Sequence, residues 1–146
     1  MDRIELLRRL QPRLAAEPGL ACAWLFGSQA RGDAGSGSDA DVAVLYQQDP
    51  PRTLEASGFL LADELAERAG LPVQVVIANH APPDLMHRVL KDGVLILDLD
   101  KVARVRFEVL SRNRWWDLKP VLDQVRGVTR HREVAMPLGA ARPSHG

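Results

Sequence analysis

Cysteine is nearly missing from this chain: Cys22 is the only one among 146 residues. No disulfide can form within it, which suits a reducing compartment and makes the cytoplasm the expected location. There is no excess of positive charge either. Nineteen lysines and arginines balance nineteen aspartates and glutamates, which argues against direct nucleic-acid binding as the main task. No apolar run approaches the length of a membrane span, and the opening MDRIELLRRL is charged throughout, unlike a secretory signal. No internal repeat is visible. His80 and His87 lack the neighbouring cysteines, histidines and acids that zinc requires, so solvated or capping roles are expected for both.

What remains is a chain of one-domain size with 46% hydrophobic residues, enough for a real core. Ile4, Leu7, Leu10 and Leu14 recur at helical spacing over residues 3–16, and Glu17-Pro18-Gly19 stops that helix. Apolar runs predict strands at 20–26, 40–46, 73–78 and 94–97. Between them the pattern predicts a brief helix at 29–32, a longer one from Thr53 to Ala69 with Leu54, Phe59, Leu61 and Leu65 as its apolar contacts, and another at 82–90. Gly70 reads as a C-terminal glycine stop. From Asp100, Val102, Val105, Val109, Trp116, Leu118, Leu122 and Val125 predict a long helix, kinked near Pro120. Beyond Val128 the composition turns polar, giving a domain over 1–128 and a tail at 129–146 that is expected to be disordered unless a partner orders it. The order of elements is α/β, but it does not by itself distinguish a mixed sheet from a doubly wound parallel one. Trp24 and Cys22 are expected in the core, and Arg104 and Arg106 on a solvated helix face.

The most informative stretch is GSQARGDAGSGSDAD, residues 27–41. Gly27-Ser28 follows the apolar run Ala21–Phe26 and precedes Gln29-Ala30-Arg31, so it reads as a strand-to-helix turn. Such a turn points backbone N–H groups forward, where they favour phosphate. Ser28 can add its hydroxyl or act as a helix N-cap, and Arg31 can add a charged contact or lie on the surface. Ten residues later, Asp39 and Asp41 open a strand. Residues i and i+2 project to one face, and two adjacent carboxylates repel unless a cation lies between them. Oxygen ligands that leave room for water and phosphate suit Mg²⁺. The bland alternative is a solvated turn with an ordinary Asx cap.

The Gly-Ser pair, the ten-residue spacer, the Gln29-Ala30-Arg31-Gly32 continuation, Ser38 and the Asp-x-Asp resemble the nucleotidyltransferase superfamily, in its minimal nucleotidyltransferase (MNT) branch. The resemblance covers about residues 4–125. It implies a mixed sheet flanked by helices, like the palm of DNA polymerase beta. It further implies transfer of AMP from ATP with Mg²⁺ onto a tyrosine of a HEPN-domain ribonuclease toxin, so that the chain acts as an antitoxin. Asp39 and Asp41 would be the metal-binding and catalytic residues, and Gly27, Ser28 and Arg31 the nucleotide-binding ones.

The superfamily commonly carries a third carboxylate on the following strand. Gln74 stands at that position here, and Asp84 is the nearest other acid. Two further readings therefore stay open: an antitoxin that has lost catalysis and occludes its toxin, and a nucleotidyltransferase of small molecules such as aminoglycosides. A homo- or hetero-oligomer is compatible with the antitoxin readings, and the small-molecule reading would require so short a chain to dimerise. Trp115-Trp116, with Arg112 and Arg114, could stack a base. The following Asp117-Leu118-Lys119-Pro120 is similar in MNT-like proteins, which favours roles in folding and partner docking.

Overall fold

A computed structural model describes residues 1–32, 39–54 and 56–134, with side chains through residue 127. The elements are α1 (Arg3–Ala15), β1 (Leu20–Phe26), α2 (Ser28–Arg31), β2 (Ala40–Tyr46), α3 (Phe59–Ala69), β3 (Val73–Ile77), a 3-10 turn at Ala78–His80, α4 (Pro83–Asp92), β4 (Val94–Asp98) and α5 (Lys101–Val134). The four strands form one sheet in the order β3-β2-β1-β4. β1 is antiparallel to both β2 and β4, whereas β2 and β3 are parallel. A parallel pair needs a crossover, and α3 supplies it. The sheet is thus mixed, as the resemblance implied.

Alternation along the strands divides the core into two layers. On one face, Leu6, Leu10 and Leu14 of α1 and Leu61, Leu65 and Ala69 of α3 pack against Ala23, Leu25, Val42, Val44, Val73 and Ile77. On the other, Met86 and Val89 of α4, with Ala103 and Phe107 of α5, cover Cys22, Trp24, Ala43 and Leu45. Trp24 and Phe107 stand with ring centroids 6.2 Å apart. Each fully buried leucine contributes about 1.5–3 kcal/mol, so the helix faces are chosen by the best-packed residues and not by every apolar one. In α1 the buried face carries Leu6 and leaves Ile4 70% exposed, a correction to the predicted stripe. Asp2 caps α1, accepting from the Glu5 N–H at 2.9 Å.

Three other expectations are corrected. The helix predicted from Thr53 begins only at Phe59, because Gly58 adopts φ +95° and a Cβ there would lie 3.0 Å from Val75 Cγ1. A left-handed residue cannot sit inside a right-handed helix, so Leu54 falls outside α3; both it and Phe59, the first residue of α3, are exposed instead of packed. In α5 the predicted apolar stripe of Val102, Val105, Val109 and Trp116 faces outward, while Phe107 packs against the sheet and Ser111 is buried. Arg104 is not solvated. Its side chain is 15% exposed, with Nε 3.0 Å from Asp98 Oδ2 and Nη1 3.1 Å from Glu108 Oε2. Arg106 is exposed as predicted.

α5 runs through Pro120 and continues to Val134, six residues past the expected domain end. The remainder of the predicted tail, 135–146, lies outside the described residues, as do Gly35, Gly37 and Ser38. Among the described residues, no helix is long and apolar enough to cross a membrane.

Candidate active site

β1, a central strand, delivers the chain to Gly27 at its C-terminal end. In the antiparallel register Phe26 is the partner of Asp41, so the turn after β1 lies beside the first residues of β2. Gly27 has φ +74° and ψ −156°. A Cβ on it would stand 2.5 Å from Asp41 Oδ2, inside any tolerable contact. Only glycine therefore gives both the positive-φ turn and this close approach of backbone to carboxylate. α2 follows at once: the N–H groups of Ala30 and Arg31 both return to Gly27 O at 3.2 Å. Gly27, not Ser28, is the cap residue, and Ser28 occupies the first helical position. The first amides of a helix have no partner within it, and here the cap residue Gly27 lies beside the Asp41 side chain at the start of β2.

Ala40 and Val42 point into the α1–α3 core layer, so Asp41 projects to the opposite face, and Asp39 precedes it by two residues. Asp39 is exposed and Asp41 half-buried. Burial, and then the charge of Asp39, push the Asp41 carboxyl above the usual carboxylate range. A divalent cation removes both penalties at once. Two carboxylates at a partly dry strand end fit a hard, oxygen-seeking ion that keeps water and phosphate in its remaining positions. Asp41 has a second neighbour, Gln74, its Cα partner across the parallel β2–β3 pair. Val73 and Val75 face the α1–α3 layer, so Gln74 shares the face of Asp41 and is exposed. Among the described residues, no three histidines, cysteines or acids group to hold a metal. Asp84 lies in the first turn of α4.

A sequence model described as polymerase beta, nucleotidyltransferase matches residues 8–102. This chain belongs to the polymerase beta nucleotidyltransferase family. A solved minimal nucleotidyltransferase is 31% identical to it, with a TM-score of 0.53 over 64% of this chain and 95% of the other. A toxin–antitoxin structure with AMP-PNP has a TM-score of 0.62 at 22% identity, covering 86% of this chain and 99% of that one. The tri-AMPylated HEPN toxin of Shewanella oneidensis in complex with its MNT antitoxin matches with a TM-score of 0.62 at 21% identity, covering 85% and 98%. No curated protein matches the chain at a significant level.

The nucleotidyltransferase therefore brings Gly27, Ser28, Asp39 and Asp41 to one end of the two central strands, with Arg31 exposed at the last residue of α2. Two residues expected to be bland have partners. His87 stacks on Trp115 with centroids 4.0 Å apart and planes 8° from parallel, and Trp116 stays 67% exposed. One residue near the site had no signal in the sequence. Arg3 Nη1 donates to Ala30 O at 2.8 Å, tying the first turn of α1 to the last carbonyls of α2 across 27 positions. Only the tertiary fold of the nucleotidyltransferase reveals that bond.

Proposed function

We propose that this nucleotidyltransferase is an antitoxin that transfers AMP from ATP to a tyrosine of a cognate HEPN-domain toxin, neutralising its ribonuclease. The observation that carries this reading is the contact between Gly27 and the Asp41 carboxylate, which joins a phosphate-binding turn to a cation-binding pair. Likeness to MNT antitoxins seen with an AMPylated HEPN toxin and with an ATP analogue supports the choice of donor and acceptor.

In this reading Gly27 admits the triphosphate close to the backbone, Ser28 donates its hydroxyl to a phosphate oxygen, and Arg31 adds a charged contact. Asp39 and Asp41 would hold Mg²⁺, which when bound neutralises phosphate charge. The tyrosine oxygen attacks the α-phosphorus, a new O–P bond forms, and the bond from the α-phosphorus to the bridging oxygen breaks. Pyrophosphate departs and the phenolic proton passes to solvent. The added anion would disable the toxin by charge and bulk.

The intact mass of the HEPN partner after incubation with the protein, ATP and Mg²⁺ tests this. The expected result is a gain of one or more AMP units, lost in Asp39→Asn and in Asp41→Asn. Transfer retained by both variants would overturn the cation assignment. The absence of a third acid beside Asp41 among the described residues favours a second reading, inhibition by occlusion. An unchanged mass with a stable complex, and protection that survives both substitutions without ATP, would select it.

A further inference from the structure

The strand register makes Gln74 the side chain nearest in place to the carboxylate pair from the other side. It is the Cα partner of Asp41, on the same face, and exposed. Strands in a sheet lie about 4.8 Å apart, so a side chain of this length reaches the space in front of Asp41. A glutamine there offers a neutral carbonyl oxygen and two N–H donors, and no negative charge. Two-metal phosphoryl-transfer sites hold their ions about 3.5–4 Å apart, a separation that needs shared and additional anionic oxygens to offset the mutual repulsion. The described residues supply two carboxylates, and their combined charge balances one divalent ion.

We propose that Gln74 limits this site to a single divalent cation per bound nucleotide. The inference rests on the proposed nucleotide site and deepens it. The single cation is the one that accompanies the triphosphate. The acceptor hydroxyl then meets no second ion to lower its pKa, so the acceptor's own surroundings must make it reactive. This gives specificity without a tight pocket: hydroxyls that are not already activated where they stand react slowly. Gln74→Glu restores a negative charge at the same chain length and Gln74→Asp at a shorter one. Both changes fall on an exposed position, where the fold tolerates them.

Equilibrium dialysis of Mn²⁺ against the intact protein, saturated with the non-transferable α,β-methylene analogue of ATP, counts bound ions directly, without any turnover. Electron paramagnetic resonance of the same samples reports free Mn²⁺, and circular dichroism checks that each variant is folded. The expected result is one nucleotide-dependent ion in the natural protein and two in Gln74→Glu or Gln74→Asp, with the spectral broadening that two close Mn²⁺ ions produce. Two ions in the natural protein would overturn the inference, and so would a single ion retained by both folded variants. No nucleotide-dependent ion in any of the three would instead overturn the proposed nucleotide site, so the two failures read differently.

Discussion

The α-carbon of Gly27 lies so close to the Asp41 carboxylate that a methyl group on it would stand 2.5 Å from Oδ2. The turn after β1 and the first acid of β2 are thus one object, assembled across the β1–β2 register. Gly27→Ala introduces a contact with Asp41 and forces a side chain into an extended positive-φ conformation essentially confined to glycine, at a cost of about 1–3 kcal/mol before any clash. The expected outcome is a lowered melting temperature together with weakened Mn²⁺ and ATP-analogue binding. Unchanged binding by calorimetry would show that the turn and the acids work separately.

Asp41 makes stability depend on pH. Its carboxyl is raised by burial and by Asp39, so the folded chain holds that proton more tightly than the unfolded chain does. The fold then gains stability as pH falls through the raised value toward the unfolded one of about 3.9, and loses it as pH rises through the same window. Asp41→Asn removes the charge and with it this dependence. In metal-free buffer the variant should melt higher than the natural protein at pH 7, and the gap should close near pH 4. A gap that is constant with pH would contradict the assignment.

Arg3 anchors α2 through its bond to Ala30 O. A bond of this kind is worth about 0.5–1.5 kcal/mol. If it positions the turn, Arg3→Ala should bind the ATP analogue about two- to tenfold more weakly, with melting lowered by only about 2–8 °C, and Arg3→Lys should recover part of the loss. Unaltered affinity in Arg3→Ala would make the bond merely structural.

Tyr46 ends β2, roughly 17 Å along the strand from Asp41, and donates its hydroxyl to Glu17 Oε2 at 2.7 Å. Arg13 completes the group, reaching Glu17 at 2.9 Å and Glu64 at 2.7 Å. Tyr46→Phe should lower stability by about 1 kcal/mol in chemical denaturation and leave Mn²⁺ binding intact. This variant separates losses at the site from losses of fold.

Cys22 is buried in β1, and burial, followed by the charge of Asp98, pushes its thiol up to about 12. The thiolate is the reactive form. The native protein should therefore resist a thiol reagent at pH 8 and react once denatured. Rapid labelling of the folded chain would show that the α4–α5 layer opens.

The strands, the Gly-Ser turn and the placing of the acid pair at a strand start were legible in the sequence because they depend on neighbours in the chain. The predicted bounds of β1 and β2 match those of the fold, since both are unbroken apolar runs closed by turn residues. Gly-Ser and Asp-x-Asp declared themselves through a fixed short spacing. The helices were less legible where a helical repeat had more than one apolar side. Ile4 and the stripe of Val102, Val105 and Val109 satisfy the period as well as the buried residues do, and only packing against the sheet chooses between faces. The late start of α3 follows from a left-handed glycine held against Val75, a contact 17 positions away.

Local pattern therefore determined the α/β alternation, the turn and the acid pair, because backbone preference and side-chain alternation act over a few residues. The mixed strand order, the placing of Gln74 beside Asp41 and the bond from Arg3 to α2 depended on which distant segments share hydrogen bonds and buried surface. Those are properties of contacts between segments, set by the lowest free energy of the whole chain, and no short window of residues contains them.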